Sequence, residues 1–322
     1  MDGFLETIER TSLPDREEYL ELLRRVSEVL LSERPEYRPR DAENRPGGLL
    51  RLPDLPTVIV PDLHARRWVL DRLLGMNWGD ESVESLLRRG AIQVVCVGDG
   101  FHAEGRAAGR WRRAFREYVD KYKHHQAMDE EMRESLGLME MVMNLKIAFP
   151  EHFHFLKGNH ENISNEEGRG NHPFRKYAYE GEMVRLWVLQ FYGRDFLEAY
   201  AEFEHLLPLL AAASDFIVSH AEPRRFFSAQ ELVEYRSHDE VVEGLTWTGD
   251  GESEEGSVRR MLDVYCDSDR VSTYFGGHRP VSGSHNLRAD GNYVQIHNPE
   301  DSLIVLLSPG LPFAPNRDII EL

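Results

Sequence analysis

TVIVPDLH, residues 57–64, is a short run of β-prone residues that ends in Asp62 and His64. Four later stretches repeat the arrangement. AIQVVCVGD (91–99) ends at Asp99, and HFHFLKGN (152–159) ends at Asn159. DFIVSHA (215–221) carries His220, and STYFGGH (272–278) ends at His278. Each is an apolar run rich in Val, Ile or Phe, closed by an oxygen or imidazole side chain. The early strands alternate with helical sequence and the late ones with turns. That pattern predicts an α/β (α+β mixed) fold of stacked mixed sheets flanked by helices. Ligands collect at the carboxyl ends of strands in such folds. The final two strands, NYVQIHN (292–298) and SLIVLLSP (302–309), are expected to pair as a hairpin about the turn-prone NPED.

Outside these strands, 15–32 reads as an amphipathic helix, with Leu20, Leu23, Val26, Leu30 and Leu31 on one stripe. ERPEYRPRDAENRPGG (33–48) reads as an extended linker. Residues 1–50 are therefore expected to pack as a helix and linker on a main domain of 51–322. A second helix is expected over 65–74, and helical sequence over most of 104–147 and 177–210. The stretch GRAAGRWRRAFREYVDKYKHH (105–125) is locally basic. It reads equally well as a solvated helix pair or as a recognition arm, a helical insertion near 104–130.

The 322 residues are 41% hydrophobic and 29% charged, enough for a substantial core. A net charge of -18 disfavours nucleic acid and anionic membranes as partners. It does not exclude a small anionic substrate, because bound cations reverse the local field. The two cysteines, Cys96 and Cys266, make no disulfide framework and no CxxC motif, which suits a reducing compartment. MDGFLETIERTSLPDREE at the start lacks the pattern of a signal peptide. The longest apolar stretch, 206–213, is too short to span a bilayer and contains Pro208. A cytoplasmic protein is expected.

The strand-end residues suit metal chemistry. Carboxylate and amide oxygens combined with imidazole nitrogens bind Mn, Fe or Zn. Asp62 and His64 share one side of an extended segment, so they can grip one ion together. Asp99 can bridge two ions through its two oxygens, and Asn159, His220 and His278 complete the second. Glycines beside Asp99, Asn159 and His278 let the backbone turn and leave room. Two ions about 3.5 to 4 Å apart acidify a bridging water and clamp phosphoryl oxygens, so the resulting hydroxide attacks phosphorus in line. His160 is placed to protonate the leaving group.

These motifs resemble the fingerprint of the calcineurin-like metallophosphoesterase superfamily, and within it the phosphoprotein phosphatase family. MEMVMNLKIAFPEHFHFLKGNHEN (139–162), FEHLLPLLAAASDFIVSHAEP (203–223) and FGGHRPV (275–281) carry the likeness beyond the ligands themselves. It extends from about Pro56 to Gly310. The resemblance implies a central β-sandwich with flanking helices. It assigns Asp62, His64 and Asp99 to a first metal, and Asp99, Asn159, His220 and His278 to a second. It makes His160 the general acid. It implies hydrolysis of phosphate monoesters, on a phosphoprotein or a small phosphorylated metabolite.

The chain departs from that family in four places. Pro61 and Ala65 replace the glycines of the first motif, which implies a different loop shape. His102 and Ala103 stand where the family has an Asp that partners the acid and an Arg that binds phosphate. Glu104 or Arg106 is a substitute for them. Glu222 replaces a glycine and is expected to disfavour a bulky anion. Arg259, Arg260 and Arg279 are the other candidates for phosphate binding, with His102 and Arg106. The segment between the second and third motifs is long, with the excess near 105–128. Three other readings stay open here: cleavage of diesters or dinucleoside polyphosphates, a metal-binding regulatory protein without turnover, and purely structural ions.

Overall fold

All four residues of Thr57–Val60 and of Gln93–Cys96 are buried. A strand loses both faces from water only when it lies between two layers. In the computed structural model, which describes residues 12–267 and 269–322, that is the arrangement found. The expectation about a leader falls largely on 1–11, outside the described residues.

The elements run α1 (Arg16–Leu31), β1 (Leu49–Arg51), β2 (Thr57–Val60), α2 (Arg67–Gly75), β3 (Asn77–Trp78), β4 (Glu81–Ser82), α3 (Val83–Arg88) and β5 (Gln93–Cys96). Next come α4 (Ala108–Val119), α5 (Gln126–Ala148), β6 (Phe153–Phe155), α6 (Glu180–Phe191), α7 (Arg194–His205), β7 (Leu210–Ala212) and β8 (Phe216–Ser219). The remainder is α8 (Ala229–Val233), α9 (Asp239–Thr246), α10 (Ser257–Tyr265), β9 (Thr273–Gly276), β10 (Asn286–Arg288), β11 (Tyr293–Gln295), β12 (Leu303–Leu307), α11 (Pro315–Asp318) and β13 (Ile319–Glu321).

Two mixed sheets stack face to face, one ordered β1-β7-β8-β9-β11-β10 and the other β13-β12-β2-β5-β6. The period of two along each strand sorts residues between layers. Ile59, Val95, Val218, Phe275 and Val294 fill the space between the sheets. Val58, Val60, Val94 and Cys96 turn outward onto a helical layer that includes α1, α5, α6 and α7. Ile217, Tyr274 and Tyr293 turn outward onto α8, α9 and α10. Within each sheet three strands run parallel: β2, β5 and β6 in one, β8, β9 and β11 in the other. The carboxyl ends of these six strands converge on one region between the sheets.

Several local expectations need correction. β11 and β12 do not form a hairpin: β11 pairs with β9 and β10, whereas β12 pairs with β2 and β13 in the opposite sheet. The chain crosses the sandwich at NPED because both strands are apolar on the face that meets the other sheet. The helical reading of 177–210 stops at His205, and Leu210 already pairs with Leu49 in β7. The buried stripe of α1 is Tyr19, Leu22, Leu23, Val26 and Leu30, while Leu31 is exposed. Asp15 caps this helix by accepting from the Glu17 and Glu18 N–H groups.

The basic stretch forms a packed helix pair. Trp111 and Ala114 of α4 are fully buried, and Arg110 Nε donates to Glu131 of α5 at 2.9 Å. At its start, Glu104 and Arg106 line a cleft beside His64, and Trp111 packs against His102. Among the described residues, no helix is long and apolar enough to cross a membrane.

The stretch 33–48 is not a free linker. Arg38 is completely buried; its Nε donates to the Gly47 carbonyl at 2.8 Å and Nη1 to Glu33 at 2.7 Å. Lys146 of α5 meets the other Glu33 oxygen at 2.6 Å. Burial alone would raise the Glu33 carboxyl; Lys146 and Arg38 outweigh it and bring the pKa down to about 2. The same burial pulls Lys146 below its ordinary value, so the pair stabilises less than the Glu33 shift alone suggests. A depressed carboxylate stabilises above its unfolded pKa and ceases to do so as pH falls through its folded one. Glu33→Gln, which strands two buried cations, is expected to cost about 3 kcal/mol in urea unfolding at pH 7. The gap to wild type should narrow as pH falls from about 4.5 towards 2.

Candidate metal centre

The Asp99 carboxylate sits where the two parallel trios meet. Its Oδ2 lies 3.6 Å from His64 Nε2, 3.4 Å from His220 Nε2 and 3.6 Å from His160 Nε2. On one side, Asp62 Oδ2 stands 3.9 Å from His64 Nε2. On the other, His220 Nε2 and His278 Nδ1 each approach Asn159 Oδ1 to 2.9 Å. The structure therefore brings Asp62, His64, Asp99, Asn159, His220 and His278 into one cluster with two lobes. Asp99 Oδ1 accepts the His160 backbone N–H at 3.0 Å, and Oδ2 faces the imidazoles of both lobes.

Backbone shape makes this convergence feasible. His64, Ala65, Asp99, His102 and His278 all have positive φ, between 42° and 64°. Such conformations cost non-glycine residues about 1–3 kcal/mol and collect at functional sites. Asp62 and His64 meet through this bend and not through strand alternation, because β2 ends at Val60. Ala65 adopts the left-handed conformation that a glycine would take freely, and so absorbs the first-motif change as strain. Gly98, with φ +112°, passes so close to Gly158 that a Cβ would lie 2.6 Å from its nitrogen. At Gly277 a Cβ would fall 1.7 Å from Asp62 Oδ1.

Glu161 holds the two central turns together. Its carboxylate accepts N–H groups of Asp99 at 2.9 Å, Gly100 at 2.8 Å and Gly158 at 2.7 Å. The imidazoles are oriented as well. His64 Nδ1 bonds to the His102 carbonyl at 3.0 Å and His220 Nδ1 to the Val97 carbonyl at 3.1 Å. A carbonyl only accepts, so each Nδ1 carries the proton and each Nε2 presents a lone pair to the cluster.

The electrostatics call for a cation. Burial pushes the Asp62 and Asp99 carboxyls above the usual carboxylate range, with neighbouring acids adding to the effect at Asp99. Burial drives His64 and His278 down to about 3, and His160 and His220 well below their ordinary value. Neutral imidazoles are ready to ligate a metal, and a bound cation would restore the ionised form of the two carboxyls that burial disfavours. The residues thus fit a pair of metal ions. Asp62, His64 and Asp99 would hold one, and Asp99, Asn159, His220 and His278 the other.

Two side chains join the cluster beyond the six expected ligands. His297, two residues past β11, is fully buried, with Nδ1 3.9 Å from Asp62 Oδ2. Glu104 sits 3.6 Å from His64 Nε2 and 3.0 Å from His297 Nε2. His297 was legible only as part of a strand, because no motif frames it. Lys176 joins through Glu104, at 2.7 Å.

His102 lies against His160, with their Nδ1 atoms 3.0 Å apart and Phe174 packed on both rings. His102 thus stands beside His160 with an imidazole where the family resemblance led one to expect a carboxylate. α5 fixes it: Ser135 receives the His102 N–H and Glu131 the Ala103 N–H. Arg106 lines a cleft of about 540 Å³ that opens beside His64 and Glu104, with Trp68, Lys176 and Tyr177. Arg279 is exposed next to His278 and makes no ion pair with a described residue. Arg259 and Arg260 are not brought to the cluster; they pair with Asp263 and Glu254 on the outer surface of α10. Glu222, expected to disfavour a bulky anion, is paired with Arg288 at 2.7 Å, which offsets part of its charge.

Residues 55–282 match the family profile of the calcineurin-like phosphoesterases, and the chain belongs to that family. Among solved structures, a protein serine/threonine phosphatase from Saccharomyces cerevisiae, with similarity to human phosphatase PP5, shares the fold. The TM-score is 0.61 at 13% identity, over 100% of this chain and 96% of that one. A cold-active protein-tyrosine phosphatase of a Shewanella species is a more distant neighbour, with TM-score 0.42, 12% identity and 81% and 77% coverage. No curated protein matches the chain.

Gly277→Ala is expected to displace Asp62, since the added methyl has nowhere else to go. Overpacking of this kind costs about 1–3 kcal/mol. Elemental analysis and thermal unfolding should show a folded protein with less bound metal; unchanged metal content would refute the role given to this close approach.

Proposed function

We propose that the protein is a metal-dependent phosphatase that hydrolyses phosphate monoesters, carried by a phosphoprotein or a small phosphorylated metabolite. The observation that supports it most is the placement of His160 Nε2, 3.6 Å from the Asp99 oxygen shared by the two lobes. A proton donor there stands beside the point where an ester would be cleaved. Two bound ions of the Mn, Fe or Zn type would supply an acidified water and charge compensation for the phosphoryl oxygens.

The chain supplies the rest. His160 delivers a proton to the leaving oxygen from Nε2, while its Nδ1 is held by His102. Burial disfavours a charged His160, and His102 offers no carboxylate to restore it. The acid thus depends on the negative charge of the substrate itself. Lys176 and Arg106, on the rim of the cleft, attract that charge and orient it, and Arg279 does so from the opposite lobe. Lys176 stays protonated because Glu104 outweighs its burial.

The test is a comparison of monoester and diester chromogenic substrates with Mn²⁺ present. Monoester turnover that exceeds diester turnover is expected, and Asp99→Asn should abolish it. Hydrolysis of the diester alone would replace this reading with a phosphodiesterase or dinucleoside polyphosphate hydrolase. No hydrolysis of any phosphoester by the metal-loaded chain would point to a regulatory protein instead. His160→Asn should lower kcat about 10²–10⁴-fold on alkyl phosphates. It should matter far less for p-nitrophenyl phosphate, whose leaving group needs no proton. Equal losses on both substrates would remove His160 as the acid.

A further inference from the structure

His297 reaches the centre by a route that no sequence motif marks. β9 and β11 are parallel neighbours in which Gly276 pairs with Gln295. His278 and His297 each stand two residues beyond that pair, so adjacent strands deliver two imidazoles side by side. His278 turns to the lobe of Asn159. His297 turns to the lobe of Asp62 and His64.

Its hydrogen bonding leaves one nitrogen free. Nε2 lies 3.0 Å from Glu104 Oε2. A carboxylate accepts only, so Nε2 carries the proton, and the neutral tautomer with that proton presents its lone pair at Nδ1. Nδ1 is buried and has no hydrogen-bond partner. A buried acceptor left unmatched is costly. Its neighbour, Asp62 Oδ2, is 3.9 Å away, too far for a hydrogen bond. The ligand atoms of Asp62, His64 and His297 all lie within 4.8 Å of one another. Carboxylate, then histidine N–H, then a free imidazole lone pair is the arrangement by which proteins orient metal-binding histidines.

We propose that His297 is a fourth protein ligand of the first metal position, beside Asp62, His64 and Asp99, and that Glu104 orients it. The proposal rests on the two-metal reading of the site and extends it. Each position then has two imidazoles and two oxygens from the chain. Such a set favours zinc, iron or cobalt over magnesium at both positions. Glu104 is a positioning residue, and it ties Lys176 of the cleft to the same lobe.

Metal binding, read apart from activity, tests this. The chelator-stripped full chain is titrated with Co²⁺ by calorimetry and visible absorption. Wild type should bind about two equivalents. His297→Ala and His297→Asn should keep one tight site and weaken the other about 100-fold or more, with altered cobalt absorption. Glu104→Ala should weaken the same site about 10–100-fold, and Glu104→Gln, which retains an acceptor for Nε2–H, should recover part of that loss.

Circular dichroism of each variant checks folding. If both His297 variants unfold, cobalt-loaded wild type decides. Four hyperfine-shifted imidazole N–H resonances are expected there, one each from His64, His220, His278 and His297. Three resonances, or two unweakened sites in a folded His297 variant, would overturn the assignment while leaving the metal centre intact. A wild-type chain that binds no metal would instead defeat the proposed function.

Discussion

Three backbone N–H groups, those of Asp99, Gly100 and Gly158, point at one buried carboxylate, that of Glu161. This contact ties the turn after β5 to the turn after β6. It adds to the β5–β6 pairing and to the His160 N–H bond on Asp99 in holding two glycine-rich turns within a Cβ's width of each other. Asp99 is carried by one of these turns and Asn159 by the other, so the geometry of both lobes depends on it. Glu161 is itself disfavoured as an anion by burial, and only the donated N–H groups and nearby Lys157 offset that. The cluster is therefore anchored by a group as desolvated as the side chains it positions.

The rest of the fold can be understood as support for a region that is unfavourable on its own. Two packed sheets provide rigid strands whose carboxyl ends cannot drift apart. The strained residues at those ends are held by ladders and core on both sides. The helices add a second constraint, because α5 pins His102 and Ala103 through Ser135 and Glu131. His102 is thus fixed from the helical layer, while His160, which it touches, follows a strand of the sheet.

Much of the site was legible in the sequence because its residues sit directly after apolar runs. Asp62, Asp99, Asn159, His220 and His278 are each the polar residue that closes such a run. Arg259 and Arg260 were candidates through the family's second phosphate-binding arginine, yet they pair with Asp263 and Glu254 away from the cluster. Glu222 has the character of an unfavourable charge in the sequence, but Arg288, from a distant strand, binds it. Arg38 looked like part of a solvated linker, although it is buried against Glu33 and the Gly47 carbonyl. In each case a side chain's partner lies outside the local motif, and composition around the residue is silent about it.

The sequence by itself determined the strand ends and the chemistry they carry, because alternation and residue type are local properties. It also determined the family, since the motifs and their order suffice for that. Only the tertiary structure decided which sheet each late strand joins, and so where NPED crosses. A strand's partner depends on which apolar face it can cover, which is a property of the whole sandwich. That crossing brings His297 beside Asp62 and Glu104, and the structure adds a histidine to a centre whose motifs had already seemed complete.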